Sequence, residues 1–185
     1  YTLLAARQVG PTGKVYAFEP DPDNHALLLR NIELNAYDNV VVANKAISNQ
    51  VGTATLYLTA LDSGRHSMYH HGLPERGKVA VETTTMDYYI GSEGCPRVDL
   101  VKIDVEGAEV SVLEGMTKLL ETSDDLKLII EFNPFLLQNA GVIPLQFLEK
   151  PDSLGFNVYL IDEEHGLSPL AANDAPGLVN RLMSA

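Results

Sequence analysis

Three β-rich runs of this chain lead to a carboxylate, with helical segments between them. Residues 14–18 run into Glu19-Pro20, residues 98–103 run into Asp104, and residues 126–132 carry Glu131 near their close. Pro22 and Asp23 open a helix with Leu27, Leu28, Asn31, Ile32 and Leu34 at helical spacing. Residues 107–120 read as a second helix. Residues 40–43 are a run of Val and Ala of the kind that buried parallel strands show. Strands that alternate with helices predict an α/β fold, a mostly parallel, doubly wound sheet with right-handed crossovers.

The remaining segments fit around that frame. Residues 1–9 read as the later turns of a helix stopped by Gly10-Pro11. Residues 53–59 and 79–85 read as strands flanking a loop, 60–78, that holds three Gly and three His. A helix is expected near 145–154, a strand at 157–161, and a last strand or helix at 178–183. No repeat or linker divides the 185 residues, a length that suits one domain with a real core.

Charge narrows the partners. Thirteen basic against 25 acidic side chains leave a net charge of −12, which disfavours nucleic acid and anionic membranes, since both need a cationic face. No apolar run reaches the length of a membrane-spanning helix, and no basic stretch followed by an apolar one opens the chain. The lone cysteine, Cys95, excludes an internal disulfide framework and a cysteine-rich zinc site. It reads as structural, and its isolation fits a reducing, cytoplasm-like compartment.

Ligands of such sheets bind beyond the carboxyl ends of the strands, where Glu19, the 44–46 segment, Asp104 and Glu131 fall. A carboxylate after the second strand can accept two hydrogen bonds from ribose hydroxyls, which gives Glu19 its expected role. Asp104 suits either a ligand or the N-terminus of the following helix. Spacing alone leaves a dinucleotide, a sulfonium cofactor and a sugar nucleotide open. Gly10 and Gly13 end a helix and supply no phosphate-reading G-x-G-x-x-G.

At Val101-Lys102-Ile103-Asp104-Val105-Glu106-Gly107-Ala108-Glu109 the chain resembles the K-I-D-V-E-G-A-E signature of the FkbM-type S-adenosylmethionine-dependent methyltransferases. Gly13 to Pro20, Leu28 to Asn31 with Leu34-Asn35, Ala46-Ile47-Ser48 with Gly52, Ser67, Thr85-Met86-Asp87 and Ile129-Ile130-Glu131 follow in the family's order. The resemblance implies a Rossmann-like class I methyltransferase fold with S-adenosyl-L-methionine as cofactor. It implies that Glu19 takes the ribose hydroxyls, that Ala46 and its neighbours line the adenine, and that Ser67 contacts cofactor or substrate. Asp104 would face the methionine moiety and the transferring methyl. Glu106 and Glu109 read more simply as first-turn acids of a helix. Family members open with a strand and a D-x-G-A-x-x-G loop before a helix like residues 1–9, so these are expected upstream of Tyr1.

Methyl transfer is an in-line displacement, so positioning dominates and an oxygen nucleophile needs a base. Asp104 and Glu131 are the expected bases. Asp104, Glu131 and Asn133 could also mimic an oxygen-rich Mg2+ set, although such sets at strand ends recur in many metal-free folds. His66, His70 and His71 are expected to face solvent or substrate. The implied acceptor is a hydroxyl on a sugar, glycan or natural-product-like small molecule. Oligomeric state is not legible. Two rival readings are a non-catalytic Rossmann-like binding domain and a dinucleotide-dependent oxidoreductase.

Overall fold

Local chemistry sets where three of the helices begin. Asp21 accepts the Asn24 amide at 2.9 Å, and Pro22 follows in the first turn. Thr85 and Asn133 do the same for Tyr88 and Leu136, at 3.1 and 3.3 Å. The computed structural model describes residues 1–70, 72–94, 97–162 and 166–184, so Cys95 lies outside the described residues. In chain order the elements are α1 (Thr2–Val9), β1 (Val15–Phe18), α2 (Pro22–Leu34), β2 (Val40–Ala43), β3 (Ala46–Ile47), β4 (Gly52–Thr59) and β5 (Glu75–Thr84). There follow α3 (Met86–Glu93), β6 (Leu100–Ile103), α4 (Glu109–Glu114), α5 (Thr117–Thr122), β7 (Lys127–Ile130) and α6 (Pro134–Asn139). The chain continues through α7 (Pro144–Ser153), β8 (Tyr159–Asp162), β9 (Gly166–Pro169) and α8 (Ala175–Met183). None of the described helices is long and apolar enough to cross a membrane.

The fold is α/β, with its strands gathered into small sheets. β1 pairs in parallel with β2, from Val15 opposite Val40 to Phe18 opposite Ala43. β6 pairs in parallel with β7, from Leu100 opposite Lys127 to Ile103 opposite Ile130. β5 lies between β3, parallel to it, and β4, antiparallel to it. β8 and β9 form a separate antiparallel pair. One continuous doubly wound sheet was the expectation. Among the described residues the two parallel pairs supply parts of such a sheet, with β1 and β6 each paired along one edge.

One core nevertheless joins the pairs. Val101 and Ile103 of β6 are buried with Val112, Leu113, Met116 and Leu137, and Phe18 of β1 packs against this group. Tyr89 of α3 meets the Phe18 ring edge-on at 4.7 Å. Consecutive residues of β3 face opposite ways, as in any strand. Ile47 joins this core, while Ala46 joins a smaller one with Leu56 and Val81.

Two expectations need correction. The single helix over 107–120 is two, α4 and α5, interrupted at Gly115-Met116. At Gly115 a Cβ would stand 2.0 Å from the Ser48 carbonyl oxygen. Asp87 of α3 then starts α5 from outside, its carboxylate accepting the Lys118 and Leu119 amides at 2.9 Å each. The Thr85-Met86-Asp87 triplet thus caps two helices. β5 begins at Glu75, which shortens the expected loop; residues 178–183 belong to α8, one of the two alternatives expected there.

Because Gly115 touches backbone, the neighbour cannot rotate away. Gly115→Ala should cost about 1–3 kcal/mol of unfolding free energy by urea titration, and an unchanged midpoint would contradict the close approach.

Candidate functional site

Parallel pairing of β6 and β7 sets the carboxyl ends of both strands side by side. The Glu131 amide donates to the Ile103 carbonyl at 2.9 Å, which extends the ladder one residue past β7 and brings Glu131 beside Asp104. Glu106 arrives by a different route. It stands at φ +53° and Gly107 at φ +103°, so the chain doubles back before α4. A Cβ on Gly107 would lie 3.0 Å from the Leu136 carbonyl oxygen, so this turn sits tightly against α6. As a result, one carboxylate oxygen from each of Asp104, Glu106 and Glu131 lies within 4.8 Å of the others.

Three carboxylates at that separation do not all ionise in the ordinary range. Burial pushes the Glu131 carboxyl up to about 7, and the charges of Glu106 and Asp104 add to the effect. Its Oε2 is buried without a hydrogen-bond partner. A proton on Glu131 removes one charge and supplies a hydrogen bond to Asp104. Glu106 is also raised, first by burial and then by Asp104, with Arg65 opposing. Asp104 carries an ion pair with Lys102, whose ammonium lies 3.9 Å from the centre of the Tyr1 ring. Asp104 does not cap α4, whose N-terminal position is Ala108 with no side-chain hydrogen bond.

Glu109 does serve the start of that helix. It is 3% exposed, and its Oε1 accepts the Gly107 amide at 3.1 Å. Ser67, 1% exposed, approaches the same turn from the other side: its hydroxyl donates to the Glu106 carbonyl at 2.6 Å. The Ser67 hydroxyl also accepts the Tyr69 amide at 3.0 Å.

Glu19 stands one residue past β1, where its amide donates to the Ala43 carbonyl at 3.1 Å. Its Oε1 accepts the Asp21 amide at 2.9 Å, and burial raises its carboxyl above the usual range. The Asn44 side chain donates to the Glu19 carbonyl at 2.8 Å, which fixes this corner. A shallow open groove beside it is lined by Pro20, Asn44, Lys45 and Val81. Ala46 is buried within β3, its backbone paired opposite Thr83 of β5. Asp104 and Glu131 group with Glu106, whose carbonyl Ser67 holds, while Glu19 follows β1 and Ala46 opens β3.

The residues suggested for Mg2+ are arranged differently from that expectation. Asn133 uses its carboxamide oxygen to cap α6, and the acids grouped with one another are Asp104, Glu106 and Glu131. Among the described histidines, His66 accepts the Thr59 amide at 3.2 Å, and His70 pairs with Glu75 at 2.8 Å while packing on Tyr57. His71 lies outside the described residues. Sequence reasoning passed over Glu106 as a helix-start acid. Its signal was the glycine that follows it, which permits the left-handed turn.

Residues 1–165 match the family model described as the methyltransferase FkbM domain. Methyltransferase sdnD of Sordaria araneosa is 31% identical over 135 residues, covering 57% of this chain and 52% of that protein. The hexuronic acid methyltransferase AglP of Haloferax volcanii is 30% identical over 108 residues, covering 58% and 43%. The 2-O-methyltransferase NoeI of Sinorhizobium fredii is 27% identical over 122 residues, covering 58% and 49%. The chain thus spans about half the length of the curated relatives it matches. No solved structure gives a significant match.

The Glu131 shift has a consequence for stability. Below the ordinary value of 4.5 the carboxyl is protonated folded or unfolded, and its burial carries no ionic penalty. As pH rises from there to about 7 the unfolded chain releases the proton that the folded chain retains, so stability falls and then levels. Glu131→Gln should therefore raise the melting temperature relative to wild type more at pH 8 than at pH 5. Equal differences at the two pH values would contradict a protonated Glu131.

Proposed function

The chain belongs to the FkbM methyltransferase family, and from that premise we propose that it is an S-adenosylmethionine-dependent O-methyltransferase. The proposed acceptor is a hydroxyl on a sugar, glycan or natural-product-like small molecule. The observation that carries the proposal is the close group of Asp104, Glu106 and Glu131 at the exits of β6 and β7, with Glu131 held near neutrality.

This donor set fits the cofactor. Negative charge at Asp104 and Glu106 suits a sulfonium cation, and the unpartnered Glu131 Oε2 suits a hydroxyl donor. Glu19, with Oε1 committed to Asp21, keeps Oε2 for ribose hydroxyls. The groove at Pro20, Asn44 and Lys45 lies next to Glu19 and flanks Ala46, which supports an adenine wall there. When bound, the cofactor supplies an electrophilic methyl group. Glu131, as carboxylate, accepts the proton that the acceptor hydroxyl loses, and a pKa matched to working pH favours that transfer. Asp104 adds to the burial and to the Glu106 charge that raise Glu131, and it faces the donor. The lysine on β6 pairs with Asp104 and holds it in place.

For the fold, one doubly wound sheet is part of the same proposal, within a single domain. It is supported by the two parallel pairs, by their unpaired edges at β1 and β6, and by the core they share through Phe18, Val101 and Ile103. For the acceptor, the relatives named for hexuronic acid and 2-O-methylation support a sugar hydroxyl. The net charge of −12 favours a neutral acceptor over a polyanion.

Two experiments test the proposal. Calorimetric titration of S-adenosylhomocysteine into the protein with its natural upstream sequence should give micromolar binding that Glu19→Ala removes. No binding by the folded protein would sink the methyltransferase reading and favour a domain that keeps the fold without the chemistry. With labelled donor and a panel of neutral sugars, Asp104→Ala should lower kcat by at least about 100-fold while circular dichroism stays unchanged. Near-normal turnover would remove Asp104 from the catalytic assignment.

A further inference from the structure

Ser67 belongs to the loop between β4 and β5, but its backbone is not loose. The Tyr57 amide of β4 donates to the Ser67 carbonyl at 2.8 Å, and the Ser67 amide donates back to the Tyr57 carbonyl at 3.2 Å. A two-way bridge of this kind fixes a residue as firmly as a strand position does. From that anchor the hydroxyl reaches 39 residues along the sequence to the Glu106 carbonyl at 2.6 Å. With the Tyr69 amide on its oxygen and 1% of its surface exposed, the hydroxyl has its proton committed and no open face. The carbonyl it holds belongs to a residue at φ +53°, a conformation costly without glycine and maintained only where neighbours over-determine it.

We infer that Ser67 is a positioning residue: its hydroxyl holds the Glu106 carbonyl, and so keeps the left-handed turn that carries Glu106 to Asp104 and Glu131. The small sheet of β3, β5 and β4 is thereby braced against the exits of β6 and β7. The role in catalysis rests on the proposed methyltransferase reading. The brace itself does not, and the two are separable by experiment. The charged groups around Glu131 are Asp104, Glu106 and Glu109, with Lys102 paired to Asp104, and Arg65 and Asp62 facing Glu106. Releasing the turn moves one of these charges away and admits water, and both changes lower the Glu131 pKa.

The test is a carbon-13 carboxyl titration of Glu131 in wild type, Ser67→Ala and Tyr69→Phe, with no donor added. Tyr69→Phe removes a different bond of the same loop, from the Tyr69 hydroxyl to Ser111 at 3.2 Å, and leaves the hold on Glu106 intact. Ser67→Ala should lower the Glu131 midpoint by about one unit, and Tyr69→Phe should leave it unmoved. In turnover, Ser67→Ala should lower kcat about tenfold with little change in donor KM. An unmoved midpoint in Ser67→Ala would overturn the inference, as would an equal fall in Tyr69→Phe, which would mean general loosening of the loop. Should Ser67→Ala fail to fold, Ser67→Cys keeps the volume with a weak donor. A lowered midpoint there supports the brace, and an unmoved one rejects it. Failure of wild type to bind S-adenosylhomocysteine would defeat the proposed function while the titration still decides the role of Ser67.

Discussion

The parallel ladder between β6 and β7 is the constraint on which the site depends. Parallel neighbours deliver their carboxyl ends to the same edge, and one extra rung, from the Glu131 amide to the Ile103 carbonyl, aligns the residues just beyond. Asp104 and Glu131 are therefore close because of register, before any side-chain interaction is considered. The core beneath, built from Val101, Ile103, Val112, Leu113 and Met116, holds that register in place. Burial at this edge then decides the chemistry, since it weakens screening and makes each carboxylate sensitive to the others.

The turn at Glu106-Gly107 completes the group against two unfavourable terms. One is a left-handed conformation at a residue with a Cβ, and the other is the crowding of a third negative charge. Opposing them are the Ser67 hydroxyl on the Glu106 carbonyl, the Glu109 carboxylate on the Gly107 amide, and the packing of Gly107 against Leu136. A segment held from three sides at a local cost is more common in functional sites than in plain structure. The same economy is absent at Glu19, whose single side-chain hydrogen bond is local and whose surroundings are partly open.

What the sequence made legible follows from how local each feature is. The alternation of strands and helices could be read directly, as could the acids that end the strands, because each depends on a few adjacent residues. The start of α2 was equally visible in Asp21 and Pro22. The break between α4 and α5 was not, because it depends on Ser48 lying against Gly115 and on Asp87 capping from another helix. Glu106 was misjudged for a related reason: its place is decided by backbone conformation and by a serine 39 residues away. How the strand pairs sit side by side was less legible, since pairing along a strand's second edge is a long-range fact. The family resemblance came from the residues at 101–109 and the blocks around them, and composition contributed only exclusions.

Burial, reinforced by the charges of Glu106 and Asp104, holds the Glu131 carboxyl of this site near neutral pH. The most direct test is the carboxyl titration of Glu131 in the unmodified protein at moderate ionic strength, followed by carbon-13 resonance. The account requires a midpoint near 7. A midpoint at the ordinary value of 4.5 would mean that the three acids ionise independently, and it would contradict both the crowding described here and the role of Glu131 as a base.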